Sequence, residues 1–281
     1  MKLSSVACCI LLCTLGSGAA FAGTWRADPI TGCTVFDTEE STVDVLVSWS
    51  GECDAEKRAT GDGVLSWIEA GRLIARYDGE MVAGRAEGEG ALLILAGQGG
   101  YHRAEGHFEA SEVAGPVKIN TAEGDVFVGQ LHSLDMSGAG IVTTAAGDQY
   151  TGDIRNAQMN GAGHLVLANG EQYRGTFENN EIKGVGEWLG AQGDYYKGAF
   201  RDGEFSGSGR FEATDGAVYE GMFVEGLPEG QGRYIEADGR VIAGEFKAGW
   251  PDGQVSVTTP DGATLTEYWA EGRKEEPKKE D

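Results

Sequence analysis

The sequence predicts an all-β repeat protein, an antiparallel meander of β-hairpins on a 23-residue period. Three observations predict it. Gly124, Gly147, Gly170, Gly193, Gly216, Gly239 and Gly262 stand 23 residues apart. A second series, Gly129, Gly152, Gly175, Gly198, Gly221 and Gly244, keeps that spacing, and two residues before each stands Phe127, Tyr150, Tyr173, Tyr196, Tyr219 or Ile242. Asn-Gly and Asp-Gly pairs recur in the same phase, at 169–170, 215–216, 238–239 and 261–262. Self-similarity at a fixed period marks a stack of like units, each too small to bury a core alone.

The elements follow in chain order. Residues 1–22 place one lysine before an apolar run from Val6 to Leu15, then small residues up to Ala20-Phe21-Ala22. That is the anatomy of a secretory signal cleaved after Ala22, which predicts an exported protein, periplasmic or extracellular. Of the five cysteines, Cys8, Cys9 and Cys13 would leave with the signal. Cys33 and Cys53 remain, and two cysteines in an oxidising compartment are expected to pair. Residues 23–48 read as an N-terminal cap, because Thr34–Val47 is apolar on both faces and repeat arrays need covered ends. The array occupies 49–270. Residues 271–281, "EGRKEEPKKED", are charged and read as a disordered tail.

Within a unit, positions count from the leading aromatic as zero. Glycine falls at +2, +11 and usually +13; +4 is large and apolar (Ile154, Phe177, Phe200, Phe223, Phe246), and +9 is apolar or proline. At +6 and +7 stand Asn179-Asn180, Asp202-Gly203, Glu225-Gly226 and Ala248-Gly249, residues suited to positive φ in a two-residue hairpin turn. The Asp-Gly pairs at +19 and +20 read as a second turn of the same chemistry. A turn at +6/+7 implies that cross-strand partners sum to +13, with the ring at zero facing glycine +13 and glycine +2 facing glycine +11. Glycine next to a ring leaves room for it. The opposite face, with Arg174, Thr176, Glu178, Glu181 and Lys183, is polar.

The pattern Tyr-x-Gly-x-Phe, then Gly-x-Gly, then Asp-Gly, repeated in phase, resembles the MORN (membrane occupation and recognition nexus) repeat. Strong copies begin at Phe127, Tyr150, Tyr173, Tyr196 and Tyr219, and weaker ones at Trp49, Tyr77, Ala104 and Ile242, with a half-copy near Leu265. The resemblance implies an elongated single-layer sheet and roles in scaffolding, dimerisation or membrane association. It implies no catalytic activity. The start of the mature chain is similar to that of secreted bacterial members; there Cys53 takes the +4 column, so that a bridge to Cys33 would clamp the first hairpin.

Charge and motifs narrow the function. A net charge of −23 argues against nucleic acid and against anionic lipid surfaces. His102, His107 and His132 break the repeat phase and lack ligand partners at known spacings, so no metal site is expected. The glycine-rich stretches lack the lysine and following helix of a phosphate loop, and no nucleophile–base order points to catalysis. No cofactor is expected. What remains is the ring face itself: Phe127, Tyr150, Tyr173, Phe177, Tyr196, Phe200, Tyr219, Phe223 and Phe246, lined by the +2 glycines. In-phase apolar spacing reads first as burial, yet no second layer is available from this chain to cover the rings. The expectation is a non-catalytic scaffold whose aromatic face binds a protein partner or a second copy. The alternative is a module for cell-envelope glycan or lipid.

Overall fold

The computed structural model describes residues 23–37, 45–96, 100–131 and 137–275. The signal-like segment 1–22, His132, Met136 and residues 276–281 lie outside the described residues. No helix occurs among the described residues, and the strands form an open antiparallel sheet of tandem hairpins. The chain divides into two compact units, with the boundary between Met159 and Asn160.

In the N-terminal unit, Thr24–Ala27 and Thr34–Asp37 form a separate two-stranded ribbon. The sheet begins with Val45–Trp49 and the short Glu52–Cys53, both paired with Ala59–Glu69. Arg72–Val82, Arg85–Leu95, Tyr101–Glu109, Glu112–Asn120, Val126–Leu131, Gly138–Thr143 and Gln149–Arg155 then pair in chain order. The ribbon is held against the first hairpins by Thr34 N–H donating to Lys57 O (2.7 Å) and Phe36 N–H to Gly84 O (2.8 Å). It buries Cys33 and Val35 with Tyr77, Met81 and Phe108 in one apolar cluster. Cys33 and Cys53 are disulfide-bonded, with Cα atoms 5.5 Å apart. Buried Asp28 fixes the same corner by accepting hydrogen bonds from the backbone N–H groups of Ile30 and Trp49. Burial alone would raise its carboxyl, but those backbone donors hold it below the usual range.

The C-terminal unit runs from Asn160 through the strands Gln172–Glu178, Glu181–Leu189, Tyr195–Arg201, Glu204–Glu212, Val218–Val224, Leu227–Ile235, Val241–Lys247, Trp250–Thr258, Thr264–Ala270 and Arg273–Glu275. Each pairs with the next. Arg273–Glu275 thus adds a short strand within the segment read as tail.

The two turns of each unit differ. At +6/+7 both residues have positive φ, as in Asn179 (51°) and Asn180 (70°), or Asp202 (52°) and Gly203 (76°). That is the two-residue hairpin the sequence predicts. At the second turn only the glycine is left-handed, for example Gly170 (φ 92°), which donates to Leu167 O while Leu167 N–H donates to Glu171 O. This is a type I turn closed by a glycine bulge, not a repeat of the first turn's chemistry.

The register also departs from the expected one. Phe200 faces Phe205 and Ala199 faces Ser206, partners that sum to +13, but Gly198 faces Gly209 and Tyr196 faces Phe211, which sum to +15. A bulge skips Gly207 and Ser208 in this ladder, though both pair with the next strand, and the shift recurs at Gln172–Glu178, Val218–Val224 and Val241–Lys247. Hence the +11 glycine serves the bulge: Gly207 has φ 58°, and a Cβ there would meet nothing closer than Ala199 Cβ at 3.5 Å. The +2 and +13 glycines serve the ring.

At the array's end, Glu267 takes the place of a +2 glycine, opposite Val255. Its buried carboxylate accepts from three side chains, Arg240 (3.0 and 3.1 Å), Lys274 Nζ (2.8 Å) and Trp269 Nε1 (3.0 Å). A charge that is buried but so fully bonded terminates the ring column without an orphaned polar group.

Candidate interaction face

Each leading tyrosine lies along its own hairpin rather than standing off it. Across Tyr196, a Cβ built at Gly209 would sit 2.5 and 2.7 Å from ring atoms Cε2 and Cζ, and one at Gly198 would sit 2.6 Å from Cζ. Only glycine fits beneath. The flat ring carries its hydroxyl to the bulge, where it donates to Ala199 O at 2.9 Å. Tyr77, Tyr150 and Tyr219 do the same to Glu80 O (3.1 Å), Asp153 O (2.8 Å) and Met222 O (3.2 Å). The bulge and the tyrosine are therefore one device: the bulge frees a carbonyl and the phenol satisfies it. Tyr173 differs, its hydroxyl donating to the Glu171 carboxylate at 3.3 Å.

Neighbouring units then pack ring on ring. Tyr196 stacks on Phe205 with centroids 3.7 Å apart and meets Phe200 and Phe223 edge-on at 5.2 and 5.1 Å. Tyr219 meets Phe223 and Phe246 at 5.1 and 5.0 Å. Every ring of the predicted face is buried: Phe127 and Tyr150 in the N-terminal unit, and Tyr173, Phe177, Tyr196, Phe200, Tyr219, Phe223 and Phe246 in the C-terminal one, from 0% exposed at Tyr196 to 4% at Tyr173 and Phe200. Burial pushes the Tyr196 phenol up to about 12, and burial with the Glu171 charge does the same for Tyr173. The +2 glycines lie under these rings or against a facing backbone. Gly129 and Gly221 touch their own ring and the Cα of Gly140 and Gly232, Gly175 approaches Gly186 Cα, Gly244 faces Val255, and Gly152 pairs with Gly140.

What stays accessible is a second column that the expected register did not reveal. At +15, directly opposite the leading ring, stand Trp188, Phe211 and Tyr234, all half-buried. Their in-phase spacing was visible in the sequence, but their pairing with position zero required the bulge. With Phe205, Trp250 and Trp269 the later members of this set line an open groove of about 470 Å³ within the C-terminal unit, with Glu236 on its wall and Tyr219, Phe223 and Phe246 as its floor. A second groove, about 400 Å³, lies in the N-terminal unit between the ribbon and the first hairpins, around Trp67, Tyr77, Met81 and Phe108. Among the described residues no group of three His, Cys, Asp or Glu side chains could hold a metal ion. His102 Nδ1 accepts from Ala122 N–H, and His107 lies 3.4 Å from Glu89 and 3.9 Å from Glu109.

Comparison with known proteins gives one family match, over part of the chain. The family model for the MORN repeat matches residues 77–92, 150–172, 173–195, 196–218 and 219–239. No curated protein sequence matches the chain. Among solved structures it is similar to the TCP domain of SAS-4 (dCPAP) in complex with a proline-rich motif of Ana2 (dSTIL) of Drosophila melanogaster, at 11% identity and a TM-score of 0.36, over 55% of this chain and 86% of that one. It is also similar to a streptogramin B lyase, at 11% identity and a TM-score of 0.16, over 80% of this chain and 88% of that one. At such TM-scores neither likeness bears on what this chain does.

Proposed function

The chain carries tandem MORN repeats, and from that premise we propose that it is an exported, non-catalytic scaffold that binds a protein partner along its aromatic face. The observation that carries the reading is the open groove of the C-terminal unit, where half-buried rings stand on a floor of fully buried ones. A well-packed floor with accessible aromatic walls is the anatomy of an anchor site. Export is supported by the signal-like residues 1–22 and by the Cys33–Cys53 disulfide.

The test is crosslinked copurification of the protein from its own cells, with a Phe211→Ser, Tyr234→Ser variant in parallel. These rings are chosen because Tyr173 and Tyr196 are core residues, whose loss would unfold the sheet. A partner recovered with wild type and lost from the folded variant is the expected result. Recovery of no protein at all would overturn the scaffold reading. Mass spectrometry of the exported form should find Gly23 as its first residue; retention of residues 1–22 would overturn export.

One observation favours a second reading, binding of envelope glycan. The column Trp188, Phe211 and Tyr234, opposite the buried leading tyrosines, sets one accessible ring per unit at a regular spacing. Retention on purified envelope glycan, abolished in the same variant, is its test.

A further inference from the structure

The outer positions flanking the first turn, +5 and +8, face each other across the hairpin and are polar in the middle repeats: Glu178 with Glu181, and Arg201 with Glu204. In the next repeat the same pair becomes Val224 with Leu227, and in the one after it Lys247 with Trp250. Val224, Leu227 and Trp250 are 53%, 49% and 58% exposed. They are neighbours. A Cβ on Gly249 would stand 3.9 Å from Leu227 Cδ2, and one on Gly272 would stand 2.9 Å from the Trp250 ring, so Trp250 lies against the last turn with its indole open to solvent. Trp250 also stands at the mouth of the aromatic groove. The apolar lip and the groove are thus continuous, where the repeat abandons its polar pattern at the first turn.

Around this lip unpaired carboxylates outnumber unpaired cations. Glu225 sits in the turn between Val224 and Leu227, Asp252 follows Pro251 of the groove, and Glu271 precedes Gly272. None of the three is engaged in an ion pair among the described residues. Glu236 adds to the wall, while Arg240 and Lys274, the nearby cations, are held by Glu236 and Glu267. Lys247 and Arg273 are the cations left over at the lip. Aromatic faces beside unpaired carboxylates attract cations and repel acidic surfaces, including a second copy of a chain with net charge −23.

We propose that the Val224–Leu227–Trp250 lip and the groove behind it dock a basic segment of a partner protein, in which lysine or arginine flanks large apolar side chains. The apolar side chains would enter the groove, and the cations would meet Glu225, Asp252 and Glu271 at its edge. This rests on the scaffold reading and assigns its docking place.

The test is fluorescence-monitored titration of the full chain with three short synthetic peptides, alternating leucine–lysine, leucine–glutamate and serine–lysine. The leucine–lysine peptide should bind, with a shift in tryptophan emission, and should weaken about tenfold in Trp250→Ser or Leu227→Ser, the loss of one interface anchor. Glu225→Lys with Glu271→Lys should weaken it similarly without touching the apolar lip. Equal binding of serine–lysine, or no effect of Trp250→Ser, would reduce the contact to bulk acidity and overturn the proposal. Binding of leucine–glutamate would overturn its charge. A Trp250-dependent dimer in sedimentation without peptide would replace the partner by a second copy. The two readings fail differently. A copurified partner that stays on Trp250→Ser removes this docking place and leaves the scaffold, whereas absence of any partner removes the scaffold.

Discussion

Gly209→Ala is a one-carbon change that tests the ring-on-glycine arrangement directly. The backbone at Gly209 has no left-handed φ, so alanine is sterically acceptable there as far as the chain is concerned. The obstacle is Tyr196. All three nearest neighbours of the added methyl are atoms of its side chain, the ring carbons Cε2 and Cζ at 2.5 and 2.7 Å and the hydroxyl oxygen nearer still. Real Cβ contacts do not come that close, so the ring must lift. Lifting it breaks the hydrogen bond to Ala199 O, worth about 0.5–1.5 kcal/mol net, and disturbs a stack on Phe205 in an overpacked site, about 1–3 kcal/mol. The expected loss is about 1.5–4.5 kcal/mol, the sum of those two costs. Urea unfolding followed by circular dichroism measures it. A double-mutant cycle sharpens it: in a Tyr196→Leu background the same Gly209→Ala change should cost less than about 0.5 kcal/mol, a coupling diagnostic of direct contact. If Gly209→Ala is equally costly with and without the tyrosine ring, the reasoning is refuted.

Other consequences follow from the same structure. Gly207→Ala meets open space but must hold φ 58°, so it should cost about 1–2 kcal/mol whatever residue occupies 196; suppression by Tyr196→Leu would contradict the bulge. Glu267 has its carboxyl held below the ordinary value of 4.5, burial being outweighed by the Lys274 and Trp269 hydrogen bonds and the Arg240 charge. Its stabilisation is present above that unfolded value and lost as pH falls through the folded one, so acid titration of Tm below pH 4.5 should be shallower in Glu267→Gln. The phenols of Tyr77, Tyr173, Tyr196 and Tyr219 are each pushed from 10.0 up to about 12, chiefly by burial. A raised pKa in the folded state gives stability that is complete below pH 10 and lost as pH rises towards 12, so their tyrosinate absorbance should appear together with loss of the sheet. Tyrosinate formation near pH 10 in an intact sheet would show the rings to be exposed. Reduction of Cys33–Cys53, which closes a loop of 20 residues, should cost about 3 kcal/mol, seen as a lower Tm for the N-terminal unit and an unchanged C-terminal one.

The 23-residue period, the two-residue turns at +6/+7, the disulfide and the antiparallel hairpins were all written in the sequence, because each depends on residues close in the chain or on chemistry that repeats in phase. Gly203 and Asn180 announce positive φ by their identity alone. The register beyond the turn was not. A bulge that adds two residues to a strand leaves every side chain on the face it would have had without it, so the alternation that places Phe200, Gly207 and Phe211 on the ring face reads the same for partners summing to +13 or to +15. Only the folded ladder distinguishes a glycine needed for its φ, Gly207, from one needed for its missing Cβ, Gly209. The tertiary structure also decided which rings are core and which are surface. Identical spacing puts Tyr219 and Tyr234 in phase, but burial depends on what the neighbouring hairpins lay over each of them: Phe223 and Phe246 seal Tyr219, whereas Tyr234 is left on the wall of a groove. The lip at Val224, Leu227 and Trp250 stands between these cases. Its residues are visible in the sequence as a break in a polar column, and their adjacency to the groove exists only once the hairpins are stacked.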